Sequence, residues 1–475
     1  MKDLQILAAA RDAWLAADNF RSRRERCKRY TYGDQWSDPE IDANGNAVTE
    51  FDNIVRSGKK PLTNNVIRQI VKVVVGRYRY NCATDGVYNS DSPSKRYIAD
   101  NALSELDSRM LEEFLISGCA VQRVSCDRRP GFDGISVDNV DPRMFFVNAH
   151  KDPRGRDIEL IGMLHDYSLA EIISRFGDGT QARVAEISRA FARSSAAGSL
   201  AQSGLGLTAW GADDFFCSSS GKCRVIEVWT LDCRNKLICH DPEEAELYTA
   251  ANSSAVRRSL RSINRRRAGD GREPVNIRQS VDFVWHCRWF APDGTVLASY
   301  DTPYAHCSHP FVLKFYPMTD GEVHSLVEDV IGQQRCINRL IVMIDHMIGS
   351  SAKGVLLFPV EQKLKEFSWE NISEQWSRTN GVIPISGRTS CLPQQVVAQG
   401  ADAGAYELLS LQMKLLDNIS GVGDALAGRT VAASTGNALY ENQLRNSAIA
   451  IADIIETFAA FRRQRDDKAL SLCKK

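Results

Sequence analysis

One stretch governs what this chain can fold into. From Glu322 to Ser350, apolar residues recur at Val323, Val327, Val330, Ile337, Ile341, Ile344 and Ile348, with polar Gln334 filling one slot. Steps of three and four write one stripe along a helix, and at 1.5 Å per residue that helix reaches roughly 43 Å. A rod with a stripe so regular requires a second helix lying along it. The sequence supplies one. Leu408, Leu409, Leu415, Leu416 and Ile419 give residues 402–422 an apolar face, and Gly421-Val422-Gly423 weakens its end. Glycine costs about 1 kcal/mol against alanine inside a helix.

Between the rods, residues 352–398 read as a compact insert. It holds a strand at Gly354–Phe358, a short helical piece around Trp369–Trp376 and a second strand at Gly381–Ile385, punctuated by Pro359, Pro384, Gly387 and Pro393. Its two ends feed the two helices, which makes it an αβ knob at the tip of a helical hairpin. Beyond the return helix, Gly428 to Gly436 is a run of small and polar residues with one cation, Arg429. A last helix starts near Gly436 and runs to about Ala469 on Leu444, Ala448, Ile451, Ile455 and Phe458, followed by a basic tail.

The first 320 residues mix helix and strand, so the fold class is α+β. A helix over residues 1–30 ends in the basic run Arg21–Lys28, and a loop carries Tyr32-Gly33-Asp34-Gln35-Trp36. Asn64 or Asn65 is placed to cap a helix bearing Val66, Ile67, Ile70, Val73 and Val74 and ending near Gly76. Residues 96–117 are helical, and Gly118 breaks them before a strand at Cys119–Cys126. Further β segments fall at Val137–Val147, Val225–Leu231, Val281–Phe290 and Val296–Tyr300. Between two of these, Val256–Arg272 packs seven arginines into seventeen residues: Arg257, Arg258, Arg261, Arg265, Arg266, Arg267 and Arg272. It reads as an exposed excursion, either simply solvated or touching nucleic acid or an acidic neighbour.

Composition narrows the class. The 475 residues carry 59 Lys+Arg against 59 Asp+Glu, which excludes a histone-like basic binder, and 43% hydrophobic content excludes wholesale disorder. No apolar run approaches the ~18 residues of a membrane span. Met1–Ala17 alternates apolar and charged residues, unlike a signal peptide, so a cytoplasmic site of assembly is expected. Of thirteen cysteines, Cys217, Cys223, Cys233 and Cys239 form two pairs with five residues between partners, wider than zinc-knuckle spacing. They read as free thiols on two neighbouring strands, with metal binding left open. His306, Cys307 and His309 before Pro310 read as a turn. A phosphate loop, a nucleophile elbow, His-Glu-x-x-His and a dinucleotide fingerprint are all missing, so neither catalysis nor a cofactor is supported.

The order of parts resembles bacteriophage portal proteins, the head-to-tail connectors of tailed phages, most of all those of short-tailed phages. Tyr32-Gly33-Asp34-Gln35-Trp36, then Lys60-Pro61-Leu62-Thr63-Asn64-Asn65 and the helix closing on Gly76-Arg77, look like the family's N-terminal signature. Val137–Arg143 is similar to a body strand that follows. Gln333-Gln334-Arg335-Cys336-Ile337-Asn338 resembles its Q-x-x-x-N helix, and Ser434–Leu439 its SG-x-A-L segment.

The resemblance implies a wing over 1–320, stem helices over 321–351 and 399–424, a clip over 352–398, a tunnel loop over 425–437 and a long wing helix over 438–475, with little or no crown. It implies a ring, commonly of twelve copies, at one capsid vertex of the virion, through which double-stranded DNA is packaged and ejected. The implied partners are the major capsid protein, the terminase large subunit and a tail adaptor. In the implied channel wall stand Arg429, Thr430, Ser434, Thr435 and Asn437; on the clip, Trp369, Trp376, Arg378 and Arg388 are candidate partner contacts, or in the case of the tryptophans simply core. The competing readings are another neck or head-completion ring, and a DNA-processing enzyme.

Overall fold

The computed structural model describes residues 3–473 apart from 43–44, 90, 93–94, 130–131, 203–213, 219–221, 243, 245, 352–354, 361–362, 378–381, 387–391, 397–400 and 424–448. It is a mixed helical and sheet protein in which all the strand pairs are antiparallel.

The N-terminal helix is two helices, α1 (Asp3–Ala16) and α2 (Asp18–Tyr32), hinged at Ala17. Gly33 closes α2 in the left-handed region at φ 103°, which is why a glycine stands in that loop. A small ribbon of β1 (Pro39–Ile41) and β2 (Ala47–Thr49) leads to α3 (Glu50–Arg56). Helix α4 (Val66–Thr84) is capped by Asn65, whose Oδ1 accepts from Arg68 N at 3.0 Å. It runs straight through Gly76, eight residues past the expected end. Tyr78 and Cys82 extend its buried face, and that burial outweighs one glycine.

Helices α5 (Tyr97–Asp100) and α6 (Leu103–Ser117) precede a three-stranded sheet with order β11-β3-β4, built from β3 (Cys119–Arg129), β4 (Phe132–Asn139) and β11 (Phe311–Phe315). A larger sheet has order β10-β9-β7-β6-β5. Its strands are β5 (Phe145–Val147), β6 (Leu160–Tyr167), β7 (Cys223–Asp241), β9 (Asn276–Phe290) and β10 (Val296–Asp301), with β8 (Glu246–Ala251) paired to the far half of β7. Residues on β7 alternate faces. Val225 and Trp229 pack with Ile172 of α7 (Leu169–Phe176) and Ile187 of α8 (Gln181–Gln202), whereas Ile226 and Val228 pack against Ile6, Leu7 and Trp14 of α1. Beyond the body, β7 and β9 continue as a ribbon, and α9 (Ser254–Gly269) lies on it through Leu260.

The long helix α10 (Leu326–Ser351) starts four residues later than its stripe suggests. Ser325 Oγ accepts from Glu328 N at 3.0 Å and caps it, while Glu322–Val323 is β13, paired with β12 (Pro317–Thr319). The rod is therefore about 39 Å long. After it come β14 (Val355–Leu357), α11 (Trp369–Ser377) and β15 (Gln394–Val396). Strand β14 pairs with β15, and the strand expected at 381–385 does not form: residues 382–386 are irregular, Val382 is 77% exposed, and Pro384 has no N–H to donate to a ladder. Helix α12 (Ala401–Ser420) returns along α10, and α13 (Ala452–Cys473) ends the described chain.

One apolar core joins α2, α4, α6, α10, α12 and α13 to the three-stranded sheet through Tyr30, Ile67, Phe114, Ile337, Leu416 and Phe458 among others. Two cations of the basic tail are structural: Arg465, 2% exposed, pairs with fully buried Asp107, and the Arg462 guanidinium lies 5.2 Å from the Tyr78 ring centroid.

Candidate functional site

Three motifs far apart in the chain meet at the root of α10. Gln334 is fully buried, although it occupies a slot of an apolar stripe. Its Oε1 accepts from Val66 N (3.0 Å) and Ile67 N (3.3 Å), two donors at the start of α4 that have no partner within their own helix. Its Nε2 donates to Asn64 O (2.6 Å) and to Asn338 Oδ1 (3.0 Å). One turn on, Asn338 Oδ1 also accepts from Asn64 N, and Asn338 Nδ2 donates to Gln35 Oε1. Gln35 in turn donates to Tyr30 O at 2.8 Å. Alongside, Trp36 Nε1 donates to Thr63 Oγ1 and Asn65 Nδ2 to Thr31 O, both at 2.9 Å. Both Gln334 donors and its acceptor are used, as burial of an amide demands.

An ionic collar surrounds this knot. Arg339 Nε and Arg335 Nη2 donate to buried Glu50 at 2.6 and 2.9 Å, and Arg339 Nη2 reaches Glu40 at 2.6 Å. Arg26, Arg29 and Tyr30 all donate to Asp38. Burial would raise the Asp38 carboxyl, but the hydrogen bonds from Arg26 and Tyr30 hold it below the usual range. Gln35, Glu40, Glu50 and Asn64 are thus strapped to α10 and fix the direction in which the rod leaves the body. Sequence reading marked Gln334 and Asn338 but missed Arg335, Arg339, Glu40 and Glu50; the one available signal was an i,i+4 arginine pair at the edge of the stripe.

A second buried charge centre holds the body. Glu227, fully buried on β7, accepts from Arg123 (3.2 Å), His165 Nε2 (2.8 Å) and Trp229 Nε1 (2.8 Å). Burial pushes its pKa up, and Arg123 and His165 pull it down to about 2.

The other candidate residues fall in different places. In the insert, Trp369 is 46% exposed, with Phe358 edge-on to it and the Lys363 ammonium 5.1 Å from its ring centroid. Trp376 is half-buried, and Ile372 is the buried residue of α11. Arg378 and Arg388 lie outside the described residues, as do Arg429, Thr430, Ser434, Thr435 and Asn437. The arginine segment is helix α9, and its members differ. Arg267 is tied to Asp241 by two bonds (2.8 and 2.6 Å), and Arg257 donates to Asn252, whereas Arg258, Arg261, Arg265, Arg266 and Arg272 are exposed.

The cysteine reading needs correcting. Cys223, Cys233 and Cys239 share one strand rather than two. At about 3.3 Å per residue, Cys223 and Cys239 stand roughly 50 Å apart along it, too far to share an ion with Cys233. His306, Cys307 and His309 do form a turn, and His309 is buried with its pKa lowered by burial.

Set against known protein families, residues 94–475 match the model described as Phage P22-like portal protein. The chain belongs to this portal family. No curated protein matches it. Membership sets aside the head-completion ring and favours a structural protein over a DNA-processing enzyme, and it makes the protein a component of the phage virion, at the head-to-tail junction. The matched span contains α10, the insert, α12 and α13 of this portal. Gln35 and Asn64 lie ahead of it, so their junction with α10 rests on the structure alone. Among the described residues, no helix of the portal is long and apolar enough to cross a membrane.

Proposed function

We propose that this portal assembles as a closed ring, commonly twelve copies in such rings, around a channel through which the genome is packaged and ejected. The observation that carries this reading is the hairpin of α10 and α12. It is packed on its inner side through Ile337 and Leu416, yet it leaves Met343, Tyr406, Leu408, Leu411 and Ile419 between 43% and 51% exposed. Apolar residues in that number on one hairpin call for a partner surface, and a head-to-tail contact whose rotation closes makes a ring. In this reading α10 and α12 are the stem, residues 352–398 the clip, 425–437 the tunnel loop, and the rest the wing.

The partners follow from the same assignment. The clip docks the terminase large subunit and afterwards the tail adaptor, with exposed Trp369 as an anchor. The wing meets the major capsid protein. The portal has no catalysis of its own; a separate ATPase drives the duplex. A net charge of zero suits a passage, because many fixed cations on the wall would bind phosphate and stall sliding. Arg429 touches phosphate only transiently in such a channel.

Negative-stain images of the purified chain test the ring: annular particles with a central opening are expected, and particles lacking an opening overturn the proposal. For Arg429→Ala, a changed amount of DNA per head is expected, and unchanged packaging and ejection reject the role of that arginine.

A further inference from the structure

Helix α9 is held to the ribbon by one face only. Leu260 is buried against Leu237, Cys239 and Val275; Asn264 exchanges two hydrogen bonds with the Val275 backbone (3.0 and 2.9 Å); and Arg267 forks onto Asp241. The opposite face carries Arg258, Arg261 and Arg265, at spacings of three and four, with Arg266 at its margin and Ser262 between. Among the described residues Arg261 and Arg265 make no ion pair, and Arg258 bonds only Ser254 O of its own helix. Asp270 is the single acid from residue 254 to 272.

Such a stripe is costly, because like charges at i,i+3 and i,i+4 repel one another along a helix. Other arginines of the portal show the alternative: Arg24, Arg224, Arg335, Arg339 and Arg465 are each paired with a carboxylate. The stripe spans about 10 Å, with Ser262 between its cations and exposed Ile263 off to one side, so its centre is charged rather than the apolar centre that a protein partner would need. It has what a row of phosphates needs: guanidinium forks at regular spacing on a fixed scaffold.

We propose that α9 binds the sugar-phosphate backbone of double-stranded DNA on the outer surface of the ring, without reading sequence. This rests on the portal reading, which places the protein in a DNA-filled head, but it concerns a surface separate from the channel. The test uses closed circular duplex, which cannot thread a ring, and compares the full chain with the triple variant Arg258→Gln, Arg261→Gln, Arg265→Gln. Binding is followed by fluorescence anisotropy from about 50 to 200 mM salt.

Three lost phosphate contacts lower the slope of log K against log salt by about 2.7, so over this range the wild-type affinity falls roughly 40-fold more than that of the variant. A control replacing exposed Arg96, Arg109 and Arg154 by Gln removes the same charge elsewhere and keeps the wild-type slope. Equal slopes for wild type and triple variant overturn the proposal. So does a triple variant that binds DNA normally but no longer forms rings, which makes the stripe a subunit contact. Images of the same samples separate the two readings: rings without circle binding defeat this inference alone, whereas absence of rings defeats the portal channel.

Discussion

At the scale of single residues, two buried polar side chains decide most. Gln334 accepts from two backbone donors at the start of α4 and donates to one carbonyl at once. Gln334→Leu conserves bulk but removes these bonds and strands Ile67 N, and a loss of about 2–4 kcal/mol is expected in urea unfolding. Gln334→Glu keeps the acceptor, with a negative charge favoured at the N-terminus of α4, and loses the donor, so a smaller loss is expected. Equal losses for the two variants would contradict the capping role. Glu227 controls acid stability. Its pKa falls from 4.5 unfolded to about 2 folded, so the stability it contributes is complete above pH 4.5 and disappears as pH drops through about 2. Glu227→Gln flattens that acid branch; a branch as steep as in the wild type would show that other carboxylates dominate it.

At the scale of elements, the C-terminal helix is the keystone of the largest core. Phe458 of α13 meets Tyr78 of α4 edge-on at 5.5 Å and Phe114 of α6 at 5.8 Å. Phe458→Ala opens a cavity where three helices meet, and a loss of about 3–5 kcal/mol is expected by denaturant or thermal melting. A loss below about 1 kcal/mol would mean that α13 is merely apposed to the body. The elements also show where periodicity is legible and where it misleads. The stripes of α10 and α12 are readable because the apolar residues of a helix packed along one side recur every three or four positions whatever they meet. The passage of α4 through Gly76 is not, because a glycine loses its breaking power once Tyr78 and Cys82 find partners 370 or more residues away, as Tyr78 does in Phe458. The second strand of the insert was misplaced at 381–385 for a related reason: an isolated three-residue strand such as β15 carries too little pattern to stand out.

At the scale of the whole molecule, the stem hairpin offers its outer face to another copy. Leu408→Asp with Leu411→Asp places two charges on that face while leaving Leu416 in the core. Circular dichroism and unfolding midpoint are expected to stay within about 0.5 kcal/mol of wild type, as for ordinary surface changes, while rings give way to monomers in sedimentation and microscopy. Rings that persist would move the subunit contact elsewhere.

The linear chain by itself determined the helical rods, the position of the insert between them, the α+β body and the run of arginines, because these depend on contacts within a few residues or on composition. Tertiary structure alone decided which arginines are structural and which stand free of ion pairs. Arg267 and Arg465 look like their neighbours in the sequence, and only distant Asp241 and Asp107 mark them as structural. The same holds at the root of α10, where Gln35, Asn64 and Gln334 become one buried site. A polar side chain inside an apolar stripe is stable only when its partners arrive from elsewhere in the fold, and no local pattern records that arrival.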